Sequence, residues 1–187
     1  MNEPELIQLL CEHDEFAFKH LVEHYKRRVF STILNILHDR EETEDSTQDV
    51  FITVFQSISS FKKEASLSTW IYRIAVRKAL DKLRRRKTRK ALHQWLPWWM
   101  PQEKGRDERI FFHPGVTIEN KQRLELLSRA MALLPERQRI AITLIKLQSL
   151  SYHETSKIME LSVKAIESLV SRGKENLEKI LKGKNHD

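Results

Sequence analysis

The absence of helix-breaking residues from half of the chain is the feature that most constrains its fold. Between Pro4 and Pro97 the sequence contains neither proline nor glycine, so the usual turn residues are missing and nothing there breaks a helix. All four glycines lie after residue 104, and three of the five prolines fall between residues 97 and 114. The chain is therefore predicted to be all-α.

The segment rich in proline and glycine divides the sequence. A chain of 187 residues, 40% of them hydrophobic, can form one large domain or two small ones. We predict two small helical domains, 1–90 and 118–187, joined by a flexible linker over residues 91–117. The linker holds too many aromatic residues for an inert spacer, so part of it is expected to pack on something: Trp95, Trp98, Trp99, Phe111 and Phe112.

Charge is distributed in blocks along the chain. Residues 1–61 carry 5 basic and 12 acidic side chains, and residues 62–109 carry 15 basic and 5 acidic ones, within a net charge of +7. A basic block in a soluble protein predicts binding to phosphate backbones, and the acidic block indicates a basic protein surface or plain solvent. Two kinds of partner are therefore expected.

Several classes of protein are disfavoured by composition. No apolar run approaches the length of a membrane span, and the amino terminus carries acidic residues where a signal peptide carries positive charge, so we expect a cytoplasmic protein without membrane insertion. The single cysteine, Cys11, excludes an internal disulfide and a thiolate cluster. His20 and His24 have the spacing of a metal pair but no nearby third ligand, so neither an enzyme nor a cofactor is expected.

An acidic helix is predicted to begin after Asp39, which with Glu42 forms a relative of the capping box, and to run to about Ile58. Its inward face is predicted to comprise Val50, Phe51, Val54, Phe55 and Ile58. Asp45, Asp49, Ile52 and Gln56 fall on the other side. An exposed isoleucine among carboxylates indicates a docking face, with a solvated acidic surface as the alternative.

A second helix is predicted over residues 67–87, where an aromatic residue lies within a basic stripe. Tyr72, Ala75, Val76, Ala79 and Leu83 share the core side of the helical wheel, and Trp70, Arg73, Arg77, Asp81 and Arg84 share the opposite side. Cations that follow phosphates and a ring that stacks on bases are typical of single-stranded nucleic-acid binding. The alternative is a half-buried core tryptophan with solvated arginines.

The carboxy-terminal residues 135–181 predict a helix-turn-helix, with the turn at Glu160 and Leu161 and a second helix capped by Ser162. Val163, Ile166, Leu169, Val170 and Leu177 are predicted to face inward. Lys164, Ser168, Ser171 and Arg172 face outward with Glu167 at the boundary, and can reach the edges of bases in a major groove. The alternative is an ordinary three-helix core.

Together these motifs resemble bacterial RNA polymerase sigma factors of the extracytoplasmic-function class. "DREETEDSTQDVFITVF" is similar to the family's polymerase-binding helix, "ISSFKKEASLSTWIYRIAVRKALDKLRRRK" to its −10-reading helix, and residues 134–177 to its −35-reading domain. The resemblance implies two helical domains, called region 2 and region 4, and a linker that threads into the polymerase. It also implies that core RNA polymerase and promoter DNA are partners. An anti-sigma protein that blocks polymerase binding is a further expected partner.

The resemblance also implies which residues bind. The clamp of the largest polymerase subunit would contact Asp45, Gln48, Asp49 and Ile52. The loop 57–65 would capture a base flipped from the −10 element, and the opened strand would contact Ser60, Phe61, Lys62, Lys63, Trp70, Arg73, Arg77, Asp81, Arg84 and Arg85. The −35 duplex would contact Lys164, Glu167, Ser168, Ser171, Arg172 and Lys174.

The sequence departs from the family pattern at five positions. Arg77 replaces a usual asparagine near the −10 DNA, Thr155 a usual apolar residue, and Glu160 the usual turn glycine. Glu167 and Leu169 stand where relatives often carry basic residues. The alternative function is a dimeric helix-turn-helix regulator of duplex DNA, which would have no need for a tryptophan and arginine stripe suited to opened strands.

Overall fold

The protein consists of helices and turns throughout the part of the chain described by its structure, a computed structural model that covers residues 2–62, 64–93 and 118–183. This confirms the all-α prediction. The amino-terminal lobe contains the helices α1 Glu3–Cys11, α2 Glu15–Leu37, α3 Arg40–Ser57 and α4 Leu67–His93, with a 3₁₀ turn at Ile58–Ser60. The carboxy-terminal lobe contains α5 Ile118–Ala132, α6 Glu136–Ile142, α7 Tyr152–Met159 and α8 Val163–Gly183, with a π turn at Thr143–Leu147.

Side-chain caps begin the helices of the amino-terminal lobe. Asp39 accepts a hydrogen bond from the backbone N–H of Glu42 at 2.9 Å, as its position in the sequence predicts. Asp14 caps α2 in the same way, and Asn2 and Glu5 form a reciprocal capping box on α1. These caps satisfy donors that a helix terminus cannot satisfy internally, so the helix boundaries follow from local chemistry.

Arg86 joins three helices of this lobe. Its guanidinium donates to the carbonyl of Leu37 at 3.0 Å and lies 3.1 Å from an Asp39 carboxylate oxygen and 2.7 Å from one of Glu42. It belongs to the basic block of residues 62–109, which is predicted to bind phosphate backbones. In the structure it stabilises the carboxyl end of α2 and the amino end of α3, so that expectation is wrong for Arg86.

The helix-turn-helix prediction is confirmed by α7 and α8. Ser151 and Glu154 form a capping box on α7, and Ser162 accepts from the N–H of Ala165 at 3.2 Å, as expected of the cap of α8. Thr155 is fully buried on α7, where its hydroxyl has no hydrogen-bond partner among the described residues. This lobe is built around two apolar clusters: Ala141, Ile166 and Val170, and Met131, Leu134 and Ile142.

Glu160 ends α7 in a left-handed conformation, with φ 55° and ψ 43°. A side chain is strained there and glycine is not, so we predict that Glu160→Gly raises the free energy of unfolding by about 0.5 kcal/mol, after the larger entropy of the unfolded glycine chain is subtracted. Chemical denaturation measures the change. Lys179→Gly, at an exposed position within α8, should instead lower stability by about 1 kcal/mol. Equal losses in both variants would contradict the prediction.

The two lobes share one apolar core. Ile140, Leu144, Leu150 and Ile158 of the carboxy-terminal lobe belong to the same buried cluster as the core residues of α2, α3 and α4. In the described part of the chain, no helix is both long and apolar enough to cross a membrane. Helix α4 extends to His93, past the predicted domain boundary, and the rest of the predicted linker, with its aromatic residues, lies outside the described residues.

Candidate functional site

A stripe of exposed residues runs along α3. Asp45, Gln48 and Asp49 are exposed, and Ile52 is 53% exposed. Their spacing of three and four residues places them on one side of the helix. The Lys82 ammonium lies 4.0 Å from an Asp45 carboxylate oxygen. The structure therefore brings together the four residues expected to bind polymerase, which we call the polymerase face.

Phe55 extends this stripe, and its expected inward position is wrong. The side chain is 40% exposed, with its ring 5.0 Å from the ring of His13 and 5.0 Å from that of Phe18. It lies three residues after Ile52, so helix geometry carries it towards the exposed side. Its contacts with α2 and with the turn before α2 cover only part of the ring.

The loop before α4 and the outward side of α4 form what we call the strand face. Ser60 and Lys62 are exposed, Phe61 is half-buried, and Lys63 lies outside the described residues. Phe61 is one of the residues that pack against the core of the amino-terminal lobe. The loop thus presents polar side chains on either side of an anchoring aromatic ring.

Trp70 is half-buried, which corrects the expectation of an exposed ring. Its ring centroid lies 5.3 Å from that of Phe61 at an interplanar angle of 45°, and it packs on the edge of the shared core. The core residues expected on the other side of α4 are confirmed: Tyr72, Ala75, Val76 and Ala79 are buried, and Leu83 is partly buried against the same core. The ring completes the core at the amino-terminal end of α4.

The basic residues of the strand face differ in their accessibility. Arg77, Arg84 and Arg85 are exposed, whereas Arg73 is half-buried and donates two hydrogen bonds to the carbonyl of Lys157 on α7. Asp81 accepts from Arg84 at 2.5 Å, one turn along α4. The carboxyl end of the strand face is therefore open to solvent, and its amino end touches the other lobe.

Helix α8 presents a second polar surface, which we call the groove face. Lys164, Glu167, Ser171, Arg172 and Lys174 are exposed, and Ser168 is half-buried. Arg172 donates to the Ser168 hydroxyl at 2.8 Å, and Ser171 donates to Glu175 at 3.3 Å. The structure therefore places all six residues expected at the −35 element on accessible parts of one helix.

The inward side of α8 is confirmed with one exception. Ile166 and Val170 are buried, and Leu169 and Leu177 pack on the clusters of this lobe. Val163 is 38% exposed, so its predicted inward position is wrong. It is the first residue of α8, where no preceding turn of the helix covers the side chain.

Three residues with structural roles were missed at the level of sequence. Gly173 is buried where α8 crosses α6, and a Cβ there would lie 2.6 Å from Cδ1 of Ile142. Gln148 and Arg28 hydrogen-bond to each other between the lobes. For Gly173, the sequence signal was a lone glycine inside a helical pattern. No local sequence pattern indicates the contact between Gln148 and Arg28.

The histidine pair of α2 stands apart from any ligand cluster. His20 and His24 are both exposed, and the ring of His24 packs edge-on against Tyr25 at 4.8 Å. Across residues 2–62, 64–93 and 118–183, no group of three or more histidine, cysteine or acidic side chains is placed to hold a metal ion.

Two family models match the chain, one in each lobe. The sigma-70 region 2 model matches residues 21–89, and the sigma-70 region 4 model matches residues 124–177. The first match contains the polymerase face and the strand face, and the second contains the helix-turn-helix. The order of the two regions along the chain agrees with the order of the motifs.

Curated relatives match nearly the whole length of the chain. It is 26% identical over 190 residues to RNA polymerase sigma-H factor of Pseudomonas aeruginosa, covering 96% of this chain and 94% of that protein. It is 29% identical over 182 residues to the ECF sigma-E factor of Haemophilus influenzae, with coverage of 95% and 94%. The ECF sigma factor SigW of Bacillus subtilis is 25% identical over 178 residues, with coverage of 90% and 91%.

Solved structures show the same fold. CnrH, solved with the cytosolic domain of CnrY, has a TM-score of 0.71 at 17% identity, with 97% of both chains covered. RpoE of Bartonella quintana, solved with the anti-sigma factor NepR, has a TM-score of 0.73 at 22% identity, with 88% of this chain and 96% of that chain covered.

The two matched sigma-70 regions, their order along the chain and the sigma-factor relatives all agree with the residues found on the polymerase face, the strand face and the groove face. Sigma factors are transcription initiation factors rather than enzymes. The chain belongs to the sigma-70 family, as a member of the extracytoplasmic-function class that binds core RNA polymerase, directs it to promoters and helps to open the −10 region.

Proposed function

We propose that the three faces divide the work of initiation between them. The polymerase face binds the clamp of the largest polymerase subunit through Asp45, Gln48, Asp49 and Ile52. The strand face holds the opened −10 strand, and the groove face reads the −35 duplex. Residues 1–90 and 118–187 act as the two functional domains, with residues 91–117 as the linker.

The observation that best supports this proposal is that two exposed cationic surfaces lie on separate lobes. Arg77, Arg84 and Arg85 are exposed on α4 within the region 2 match, and Lys164 and Arg172 are exposed on α8 within the region 4 match. Cations beside an aromatic loop suit phosphates of a single strand. Cations and hydroxyls on the second helix of a helix-turn-helix suit a major groove.

Two further proposals concern where the protein acts and how it is regulated. We propose that it acts in the cytoplasm, where core polymerase and promoter DNA are found. The structures of CnrH and RpoE were solved with protein partners, the second an anti-sigma factor. By analogy, an anti-sigma protein would cover the polymerase face, where Ile52 offers apolar surface among carboxylates.

The polymerase face is tested by Ile52→Asp. This variant should lower affinity for core polymerase about tenfold, since an apolar anchor in a buried contact contributes about 1–2 kcal/mol. Phe16→Asp is a matched control, because Phe16 is 84% exposed on α2 and lies outside the stripe. Comigration with core polymerase on a sizing column and transcription from a promoter library are the measurements.

Two further variants test the DNA-binding roles proposed for the groove face and the strand face. Arg172→Ala should keep polymerase affinity and lose transcription from promoters that depend on a −35 element. Arg77→Ala should keep polymerase affinity and weaken binding to a fork template with a single-stranded −10 segment. If Ile52→Asp and Phe16→Asp bind polymerase equally well, the polymerase face is assigned wrongly. If wild-type protein fires no promoter, the assignment of all three faces fails.

A further inference from the structure

Helix α1 is bonded to the beginning of α4 by a long-range hydrogen bond. The backbone N–H of Leu67, the first residue of α4, donates to Oε1 of Glu3 at 3.2 Å, although the two residues are 64 apart in the sequence. An N–H in the first turn of a helix has no acceptor within that helix, and the helix dipole favours a carboxylate there. Glu3 therefore caps α4 from a different helix.

Ser66 supplies the local part of the same cap. Its hydroxyl accepts from the N–H of Thr69 at 3.2 Å, and its carbonyl accepts from the N–H of Trp70 at 3.1 Å. Neither bond satisfies the N–H of Leu67. The cap of α4 is therefore complete only when Glu3 is in place.

Helix α1 also meets the other end of the loop before α4. It packs on the 3₁₀ turn at Ile58–Ser60, and Sγ of Cys11 lies 3.8 Å from the carbonyl of Ile58, to which it is a weak donor. The same carbonyl accepts from the N–H of Phe61 at 3.0 Å. The two ends of α1 thus contact the two ends of the loop.

Burial of apolar side chains sets the position of α1. Leu6, Ile7 and Leu10 belong to the same core cluster as Ile58 and Leu67. A helix of nine residues is too short to be stable alone, since isolated helices need about 12 residues or more. The shared core therefore holds α1 in the place where the Glu3 carboxylate reaches α4.

Between these two ends, the loop carries residues proposed to hold the −10 strand. Ser60 and Lys62 are exposed, and the ring centroid of Phe61 lies 5.3 Å from that of Trp70 in the first turn of α4. A displaced helix start would therefore carry Trp70 away from the loop. Because unstacking a base already costs energy, a site for a flipped base has to be formed in advance.

The charge of Glu3 indicates a positioning role rather than a direct contact with DNA. The residue is exposed, and it lies at the end of a basic surface proposed to bind phosphates. A carboxylate at such a place repels a phosphate backbone. Its bond to the N–H of Leu67 gives the carboxylate a different use.

We infer that Glu3 is a positioning residue for the opened −10 strand: it caps α4 from α1 and so fixes the geometry in which the loop before α4 holds a flipped base. The inference rests on the proposed assignment of the strand face. Helix α1 precedes residues 21–89 of the region 2 match. The inference therefore extends the −10 machinery beyond that match.

The test uses Glu3→Ala in the full-length chain, assembled with core polymerase into holoenzyme. Fork templates carry a single-stranded −10 segment that is either intact or abasic at the position where loss of the base weakens wild-type binding most. We expect affinity for the intact template to fall about fivefold, as for one lost hydrogen bond, and affinity for the abasic template to stay nearly unchanged. Glu3→Gln keeps an acceptor oxygen and should recover most of the loss.

A matched control separates positioning from charge. Glu12→Ala removes a carboxylate from an exposed site just after the last residue of α1 and should leave both affinities unchanged. If Glu3 acted only through its charge, Glu3→Ala would raise affinity for both templates, because a repulsive group near the phosphates would be lost. That result would overturn the inference, and so would a wild-type protein that binds intact and abasic templates equally.

Hydrogen exchange in the free chain checks the cap itself. The amide of Leu67 should exchange faster in Glu3→Ala than in the wild type, whereas the amide of Thr69, which is bonded to Ser66, should change less. Unchanged exchange at Leu67 would show that Glu3 does not cap α4. Faster exchange with full affinity for the intact template would show that the cap does not position the loop.

Arg77→Ala separates this inference from the proposed function. Arg77 is exposed on α4, and the loss of a phosphate contact should weaken binding to the intact and abasic templates by the same factor. If Arg77→Ala weakens binding and Glu3→Ala does not, only the positioning role fails. If neither variant weakens binding to either template, the strand face is assigned wrongly and the inference fails with it.

Discussion

Replacing Gly173 by leucine is expected to destabilise the carboxy-terminal lobe strongly. A Cβ at this position would lie 2.6 Å from Cδ1 of Ile142 and 3.3 Å from Cβ of Gln138. Ile142 is itself buried among Met131 and Leu134, so it has little room to turn away. The further carbons of leucine would force α8 away from α6, at a cost of about 3 kcal/mol.

Two measurements would show this effect. Chemical denaturation should report the lost stability, and the affinity for a −35 duplex should fall with it, because the groove face lies on the displaced helix. Gly183→Leu is the matched control on α8, since no side chain of the described residues lies within 4 Å of the position of its Cβ. If Gly173→Leu were as stable as Gly183→Leu, the close approach of α8 to α6 would be wrong.

Folding stability is expected to fall steeply between neutral and acidic pH because of His38. This residue ends α2 in a left-handed conformation, with φ 51°. Burial, with the positive charges of Arg139 and Arg86 nearby, lowers the pKa of His38 from 6.5 to about 4. Both guanidinium groups donate to the last carbonyls of α2, Arg139 to Ile36 and Arg86 to Leu37, each at 3.0 Å.

The direction of the effect follows from proton binding. Between pH 6.5 and about 4 the unfolded chain binds a proton at His38 that the folded chain does not, so stability falls as pH falls through this window. The shift corresponds to about 3 kcal/mol, which is fully lost near pH 4. Above pH 6.5 both states hold a neutral imidazole, and the contribution is constant.

His38→Asn isolates this contribution. Asparagine tolerates the left-handed conformation and does not titrate, so the free energy of unfolding of the variant should lose about 3 kcal/mol less than that of the wild type between pH 7.5 and 4. His20→Asn, at an exposed site on the same helix, is the control. Parallel pH profiles for wild type and His38→Asn would contradict the burial of a neutral imidazole at this helix end.

The elements predictable from sequence are those set by neighbouring residues. The caps Asp39 and Ser162 and the turn at Glu160 depend on hydrogen bonds and dihedral angles within a few residues, and the structure has each of them. Helical periodicity likewise identified the buried side of α4 and the exposed stripe of α3. Local chemistry was enough in these cases.

The predictions that the structure corrects concern side chains whose exposure or contacts depend on residues distant in the sequence. A helical wheel assigns Trp70 to the side opposite the core, but Phe61 and the apolar core cover part of its ring. The wheel likewise places Arg73 on the outward side of α4, because its acceptor, the carbonyl of Lys157, lies 84 residues away in the sequence. Arg86 sits within a uniform basic run, and only its contacts with Asp39 and Glu42 set it apart.

The core shared by the lobes also bears on synthesis at the ribosome. The amino-terminal lobe has been translated completely before Ile140, Leu144, Leu150 and Ile158 are added to the chain. The apolar surface that these residues later cover is therefore exposed to water at first. Domains generally fold as they emerge, and uncovered apolar surface is where nascent chains aggregate. The interval before the second lobe arrives is therefore when this polypeptide most needs a chaperone, and a translational pause within residues 94–139 would lengthen that exposure.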